Sequence, residues 1–248
     1  MALNEIHRVL LTYVRSVKSI SLENLLDAFQ FMCSRLAPPE EDDPVAGNRE
    51  SLEEYIRKIN AEITKQGFKI DRKNDELNGT LYFIFINTVI DDVTKQNTSY
   101  SIAELVAIKK IIENIVEAHD YGFQVRRVVA QQVASAQMNR TLNEASSFID
   151  KLIDDGWFDA TLDEKLVLSI NTLCELKQYL IDGYGVYGVD DGGKLLSCVQ
   201  CKELVTLGLR SRYRQAFHRK CYEVHCRNNG MQMNEANMIR VGADPENL

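Results

Sequence analysis

Apolar positions recur at helical spacing from the start of the chain. Ile6, Val9, Leu10, Tyr13, Val14 and Val17 share one face of a 3.6-residue period, which predicts an amphipathic helix. A second helix is predicted over residues 21–35. The segment 37–48 (APPEEDDPVAGN) breaks the pattern with three prolines and four consecutive acids, and is expected to be a solvated loop. Ser51 and Glu54 have the spacing of a capping box, predicting a third helix with Leu52, Tyr55, Ile56, Ile59 and Ile63 inward and Gly67 as its stop. Residues 68–72 and 80–86 then read as strands, joined by a turn containing Asn78-Gly79.

The same order repeats. Ser101 and Glu104 form a second capping box, opening a helix with Ile102, Leu105, Ile108, Ile111, Ile112 and Ile115 inward. A helix over 123–136 follows. Thr141 and Glu144 cap another, which carries Leu142, Ala145, Phe148, Ile149 and Leu152 and ends at Gly156. Residues 157–160 and 166–169 make a short hairpin around Asp163-Glu164. Helix, helix, helix, hairpin is the order of a winged-helix domain, and it occurs twice. One more helix is predicted over 170–181. Beyond it, five of the twelve residues 182–193 are glycine, which predicts a flexible connection. The expected fold is mainly α with small β hairpins (α+β). Tandem winged-helix domains cover 1–92 and 97–182, a glycine-rich linker 183–194, a small zinc module 195–240 and a tail 241–248.

Charge sharpens this division. Hydrophobic residues at 45% and charged residues at 26% are ordinary globular values, which excludes a collagenous, mucin-like or wholly disordered chain. The apolar run 81–90 is about half of the ~20 residues a bilayer span needs. Glu5, Arg8 and Arg15 interrupt the apolar start, so no secretory leader and no membrane partner is expected, and the chain is read as soluble and intracellular. Within 194–240, nine basic residues face three acidic ones, which leaves the rest of a chain of net charge −7 at −13. A basic module therefore follows an acidic body.

The cysteines follow the same division. Cys33 and Cys174 sit singly in apolar helical patterns and are expected to be small buried hydrophobes. Cys198, Cys201, Cys221 and Cys226 fall within 29 residues, with His218 and His225 among them. Without an export signal, such a cluster reads as metal binding. Cys198-x-x-Cys201 and His218-x-x-Cys221 together supply a tetrahedral Cys3His set for one zinc ion. Alternative sets would use His225 or Cys226; His218 and Cys221 fit better because their spacing mirrors the first pair. No nucleophile–base set, phosphate cradle or paired-carboxylate site is apparent, so no catalytic residue is assigned. His7 and His119 are read as structural or solvated, and Asp190-Asp191 as solvated.

A winged helix invites a DNA-binding reading, which needs a basic third helix. Lys151 stands against Glu144, Asp150, Asp154 and Asp155 in the second unit, and Arg57, Lys58 and Lys65 against Glu53, Glu54 and Glu62 in the first. The helix of the second unit is acidic enough to repel phosphate, and with the −13 balance of the body this points to protein interfaces.

In its order of modules the chain resembles the non-SMC element one family, the RING-like subunits of an SMC-family DNA-repair complex distinct from cohesin and condensin. The resemblance covers nearly the whole chain. It includes LYFIFINTVIDDVTKQ leading into a helix, DDGWF closing a third helix, and Cys-x-x-Cys after a helix and linker. It implies a MAGE-family subunit and a kleisin as partners, and a role in DNA repair and recombination after DNA damage. It also implies a chromosome-associated place in the nucleus and a RING-like zinc module. Membership in the ubiquitin conjugation pathway would follow, with a ubiquitin-conjugating enzyme as a further partner; an active RING-type ubiquitin ligase stimulated by the MAGE partner is the alternative reading. In a full RING the second and fourth ligand pairs would fall near Arg210 and Tyr213 and near Asn234 and Asn237, so a degenerate RING with one zinc is expected. The basic run Arg210, Arg212, Arg214, Arg219 and Lys220 is then free for weak, sequence-independent DNA contact, with Tyr213 and Phe217 available to stack on bases.

Overall fold

Asn4 opens the first helix, α1 (Glu5–Val17), by accepting from the His7 amide. Residues 3–36, 47–88 and 100–248 are described by this computed structural model. The expected acidic loop lies outside them except for Gly47 and Asn48, as does 89–99, the middle of the segment leading to the second repeat. Two compact units result. Within the described residues the first comprises 3–36, 47–75 and 80–88, and the second 76–79 and 100–248.

In the first unit, α1 buries Ile6, Leu10 and Val14, while Val9 and Val17 flank that stripe and stay exposed. β1 (Ser19–Ser21) leads into α2 (Leu22–Leu36), which buries Leu25, Phe29, Met32 and Cys33. α3 (Arg49–Ile63) starts earlier than expected. Asn48, not Ser51, is its cap, accepting from the Ser51 amide at 2.9 Å, and Glu54 instead holds Arg57 at 2.7 and 2.8 Å. Its buried face is the expected one. Gly67, at φ +80°, ends the turn that follows. β2 (Phe68–Asn74) and β3 (Leu81–Asn87) pair antiparallel, and β1 adds to β3, giving the sheet order β1-β3-β2.

The second unit repeats the plan. Ser101 and Glu104 cap α4 (Ile102–Val116) reciprocally, and Thr141 and Glu144 do the same for α6 (Leu142–Asp154). Ile102 and Leu142 are exposed, not inward, because each stands one turn ahead of the first buried residue of its helix. α5 (Arg127–Met138) begins later than expected, because Val125 and Arg126 form β4 and pair with β6. β5 (Phe158–Ala160) and β6 (Lys165–Leu168) complete the order β4-β6-β5. The single helix expected over 170–181 is two, α7 (Ile170–Glu175) and α8 (Lys177–Tyr184), broken at Leu176. Cys174 within α7 is only half-buried. The result is a mainly helical α+β chain with winged-helix repeats. Among the described residues, no helix is long and apolar enough to cross a membrane.

The glycine-rich segment is not a flexible tether. Tyr187 donates to the Leu195 carbonyl at 2.8 Å, Leu195 to Gly185 at 3.0 Å, and Val186 to the Asp190 carboxylate at 2.6 Å. Asp190 is therefore structural, and positive φ at Gly185, Gly188 and Gly192 shapes a folded turn. Beyond it lie β7 (Leu196–Ser197), β8 (Leu204–Val205), β9 (Gly208–Arg210), β10 (Ala216–Phe217), α9 (Arg219–Asn228) and β11 (Ile239–Val241). Leu195, Leu196, Leu204, Val205, Ala216 and Val241 belong to one core with α4, α5 and α6. The cysteine-rich segment and the second winged helix are thus packed together. Residues 241–248 are fastened too, through Val241 opposite Gly208 and the Asn247 carbonyl accepting from Leu162.

Candidate metal centre

Two local structures each deliver a ligand pair. β7 and β8 pair antiparallel, and Cys198 and Cys201 occupy the turn between them. Cys198 donates to the Glu203 carbonyl at 2.8 Å and accepts from Lys202 at 2.9 Å, and Lys202 adopts a left-handed conformation that closes the turn. Across from it, His218 is the first residue before α9 and Cys221 lies in the first turn of that helix, so their three-residue spacing turns both side chains to one side. The Val199 amide donates to the Ala216 carbonyl at 2.9 Å, holding the turn beside β10.

The four side chains converge. The ligand atoms of Cys198, Cys201, His218 and Cys221 all lie within 4.8 Å of one another. His218 Nδ1 is 3.3 Å from Cys201 Sγ and 3.8 Å from Cys221 Sγ. Metal–ligand bonds of about 2.3 Å to sulfur and about 2.0 Å to nitrogen set ligand atoms roughly 3.5–3.8 Å apart in a tetrahedron, so the spacing fits a four-coordinate ion. Cys198 and His218 are buried, and Cys201 lies at the surface. His225 and Cys226, the alternatives, take other roles: the His225 ring packs against Phe217, and Cys226 is the buried residue of α9.

The electrostatics favour a cation at the centre. Hydrogen bonds from Cys201 and then His218 hold the Cys198 thiol far below the ordinary thiol range, against the effect of burial, while the bond to Cys198 and then burial push the Cys201 thiol up. Burial works to lower the His218 imidazole, but its bonds to Cys198, Cys201 and Glu76 outweigh it and raise the pKa. A buried thiolate demands positive charge beside it, and a metal ion meets that demand without a proton. Nε2 faces two acceptors, Glu76 Oε1 at 3.0 Å and the Leu204 carbonyl at 2.9 Å, so in the neutral ring that a metal ion requires it carries the proton, and Nδ1 is left to present a lone pair to the ion. Three thiols and an imidazole are the donor set of a structural zinc site; the cluster can hold a metal ion, and zinc suits it. Glu76 carries no local sequence pattern that would have revealed it.

The basic run is mostly occupied. Arg210 is 7% exposed, paired with Asp120 and stacked over Tyr121, so it cannot serve as the expected DNA contact; β9 carries it into the core. Arg219 pairs with Glu235 and Lys220 with Glu223. Arg214 lies over Tyr121 and Tyr187, and Arg212 and Tyr213 are exposed. Phe217 is buried and unable to stack on a base. Arg210 and Tyr213 supply no ligands for a second ion, and Asn234 and Asn237 are exposed. Among the described residues, one ligand cluster is found.

Comparison with known proteins gives one family. Residues 7–176 match the family described as the Nse1 non-SMC component of the SMC5-6 complex. Non-structural maintenance of chromosomes element 1 of Schizosaccharomyces pombe is 26% identical over 162 residues, 65% of this chain and 66% of that protein. The homolog from Xenopus tropicalis is 23% identical over 138 residues, 54% of this chain and 50% of that one. The chain thus matches half to two thirds of the length of these curated relatives. Among solved structures, a chain of an Nse1-Nse3-Nse4 complex superposes with a TM-score of 0.76 over 98% of this chain and 99% of that one, at 16% identity, and shares its fold.

Proposed function

The chain belongs to the family of Nse1 non-SMC components of the SMC5-6 complex, and on that premise we propose that it is an architectural subunit, joining a MAGE-family subunit and a kleisin through its winged helices and carrying one structural zinc. The observation that carries this reading is the family match over 7–176, which takes in the helices of both winged-helix repeats. The fold shared with a chain of an Nse1-Nse3-Nse4 complex supports the choice of partners. The exposed face of α6 bears Glu144, Asp150 and Asp154, a charge that suits a protein partner and repels a phosphate backbone.

The zinc would be held by Cys198 and Cys201 from the β7–β8 turn and by His218 and Cys221 from the start of α9. It supplies cross-linking, not chemistry: it ties a hairpin turn to a helix terminus. Such a subunit acts at chromosomes in the nucleus, in DNA repair and recombination. Direct DNA contact in this reading is weak and falls to Arg212 and Arg214, with affinity lost as salt rises. Ubiquitin ligase activity, the alternative, draws no support from the residues where a second zinc loop would be pinned.

Purification of the tagged chain from its own cells tests the proposal. Recovery of SMC5-6 subunits with a MAGE-family protein and a kleisin is expected. Recovery of the chain alone, under conditions that keep that complex intact, contradicts it.

A further inference from the structure

His218 is held from both edges of its ring. Its Nδ1 faces the cysteines, while its Nε2 is 3.0 Å from Glu76 Oε1 and 2.9 Å from the Leu204 carbonyl. Glu76 lies 142 residues before His218, in the turn 76–79, which belongs to the second unit. Its side chain is 4% exposed. Besides the imidazole it accepts from the Thr206 amide at 3.0 Å and from the Thr206 hydroxyl. Thr206 therefore anchors the carboxylate two residues beyond the carbonyl that shares the imidazole proton.

A glutamine could accept from the Thr206 amide and the imidazole through its one carbonyl oxygen and donate its NH2 to the Thr206 hydroxyl, with a smaller desolvation penalty, so a buried carboxylate here burdens the fold unless its charge is used. The imidazole is where that charge acts. A carboxylate accepting from Nε2–H pushes electron density to Nδ1, fixes the tautomer and strengthens the ring as a metal ligand. The Leu204 carbonyl shares the orienting task, so the charge is what Glu76 adds.

We propose that Glu76 is the positioning residue of the metal centre, setting the His218 imidazole as a donor through Nδ1 and raising the affinity of the Cys3His set for zinc. The inference rests on the zinc reading of Cys198, Cys201, His218 and Cys221 and goes beyond it.

The test is a double-mutant cycle on the full chain, with zinc affinity measured by competition with a chromogenic chelator. Glu76→Gln is expected to weaken zinc binding by about tenfold. In a His218→Cys background a thiolate replaces the imidazole, and Glu76→Gln should then leave affinity unchanged or raise it, since it removes negative charge beside four sulfurs. Cobalt loading gives a second readout: the visible ligand-field bands should move with Glu76→Gln in the parent chain and stay put in the His218→Cys chain. An unchanged affinity in Glu76→Gln, or an equal loss in both backgrounds, overturns the proposal and leaves Glu76 a support for its own turn. A parent chain that binds no zinc overturns this proposal and the metal reading together.

Discussion

Arg210 shows how far the role of a residue depends on where the backbone takes it. Its guanidinium pairs with Asp120, lies 5.3 Å from the centre of the Tyr121 ring and is almost wholly buried. Arg210→Ala would remove the stack and the packing of the aliphatic stem, while the exposed side of Asp120 would rehydrate. A loss of about 1–2 kcal/mol is expected, read from urea denaturation monitored at the single tryptophan, Trp157. Binding to DNA should not change; a variant of full stability and weakened DNA binding would return Arg210 to the surface role its sequence context suggests. The four side chains of the cluster were legible in the sequence because each pair is local, a three-residue spacing within a turn or a helix start. Glu76 was not, because its partners are 130 and 142 residues away and a lone glutamate in a turn has no periodicity to betray it. The basic run misled for a related reason: a row of arginines reads as solvated until the strand and helix that bury or pair them are known.

Among the elements, the helices were readable and the shortest strands were not. Caps and apolar stripes are local signals, and the reciprocal boxes at Ser101 and Thr141 formed as their spacing predicts. β1 and β4 have three and two residues, too few for alternation to show, and each exists because β3 or β6 offers an edge. α3 separates two capping signals that compete within three residues. Asn48 takes the position, so Asn48→Ala should cost about 1 kcal/mol, whereas Ser51→Ala should stay within about 0.5 kcal/mol. Chemical denaturation of the two variants checks this, and the reverse ranking would move the helix start to Ser51. The glycine-rich segment is the inverse case. Composition alone reads as flexibility, but positive φ at three of its glycines lets the chain fold back and bond Tyr187 to Leu195.

For the whole molecule, the proposed scaffold role rests on the family match, the two winged-helix repeats and the Cys3His cluster. The cysteine-rich segment shares a core with the second winged helix, Cys198 and Cys221 included, so its apolar residues already have a fold to join and the metal would add a local cross-link between the β7–β8 turn and the start of α9. Among the described residues one such cluster is found, which sets the expected stoichiometry at a single ion. The family was legible from module order more than from any motif, since an acidic third helix disfavours one partner class without naming another. Native mass spectrometry of the chain co-expressed with the MAGE-family subunit and the kleisin of its own organism tests the central claim most directly. The account predicts a 1:1:1 assembly that retains one zinc. A spectrum showing only the free chain, or an assembly carrying two zincs or none, would contradict it.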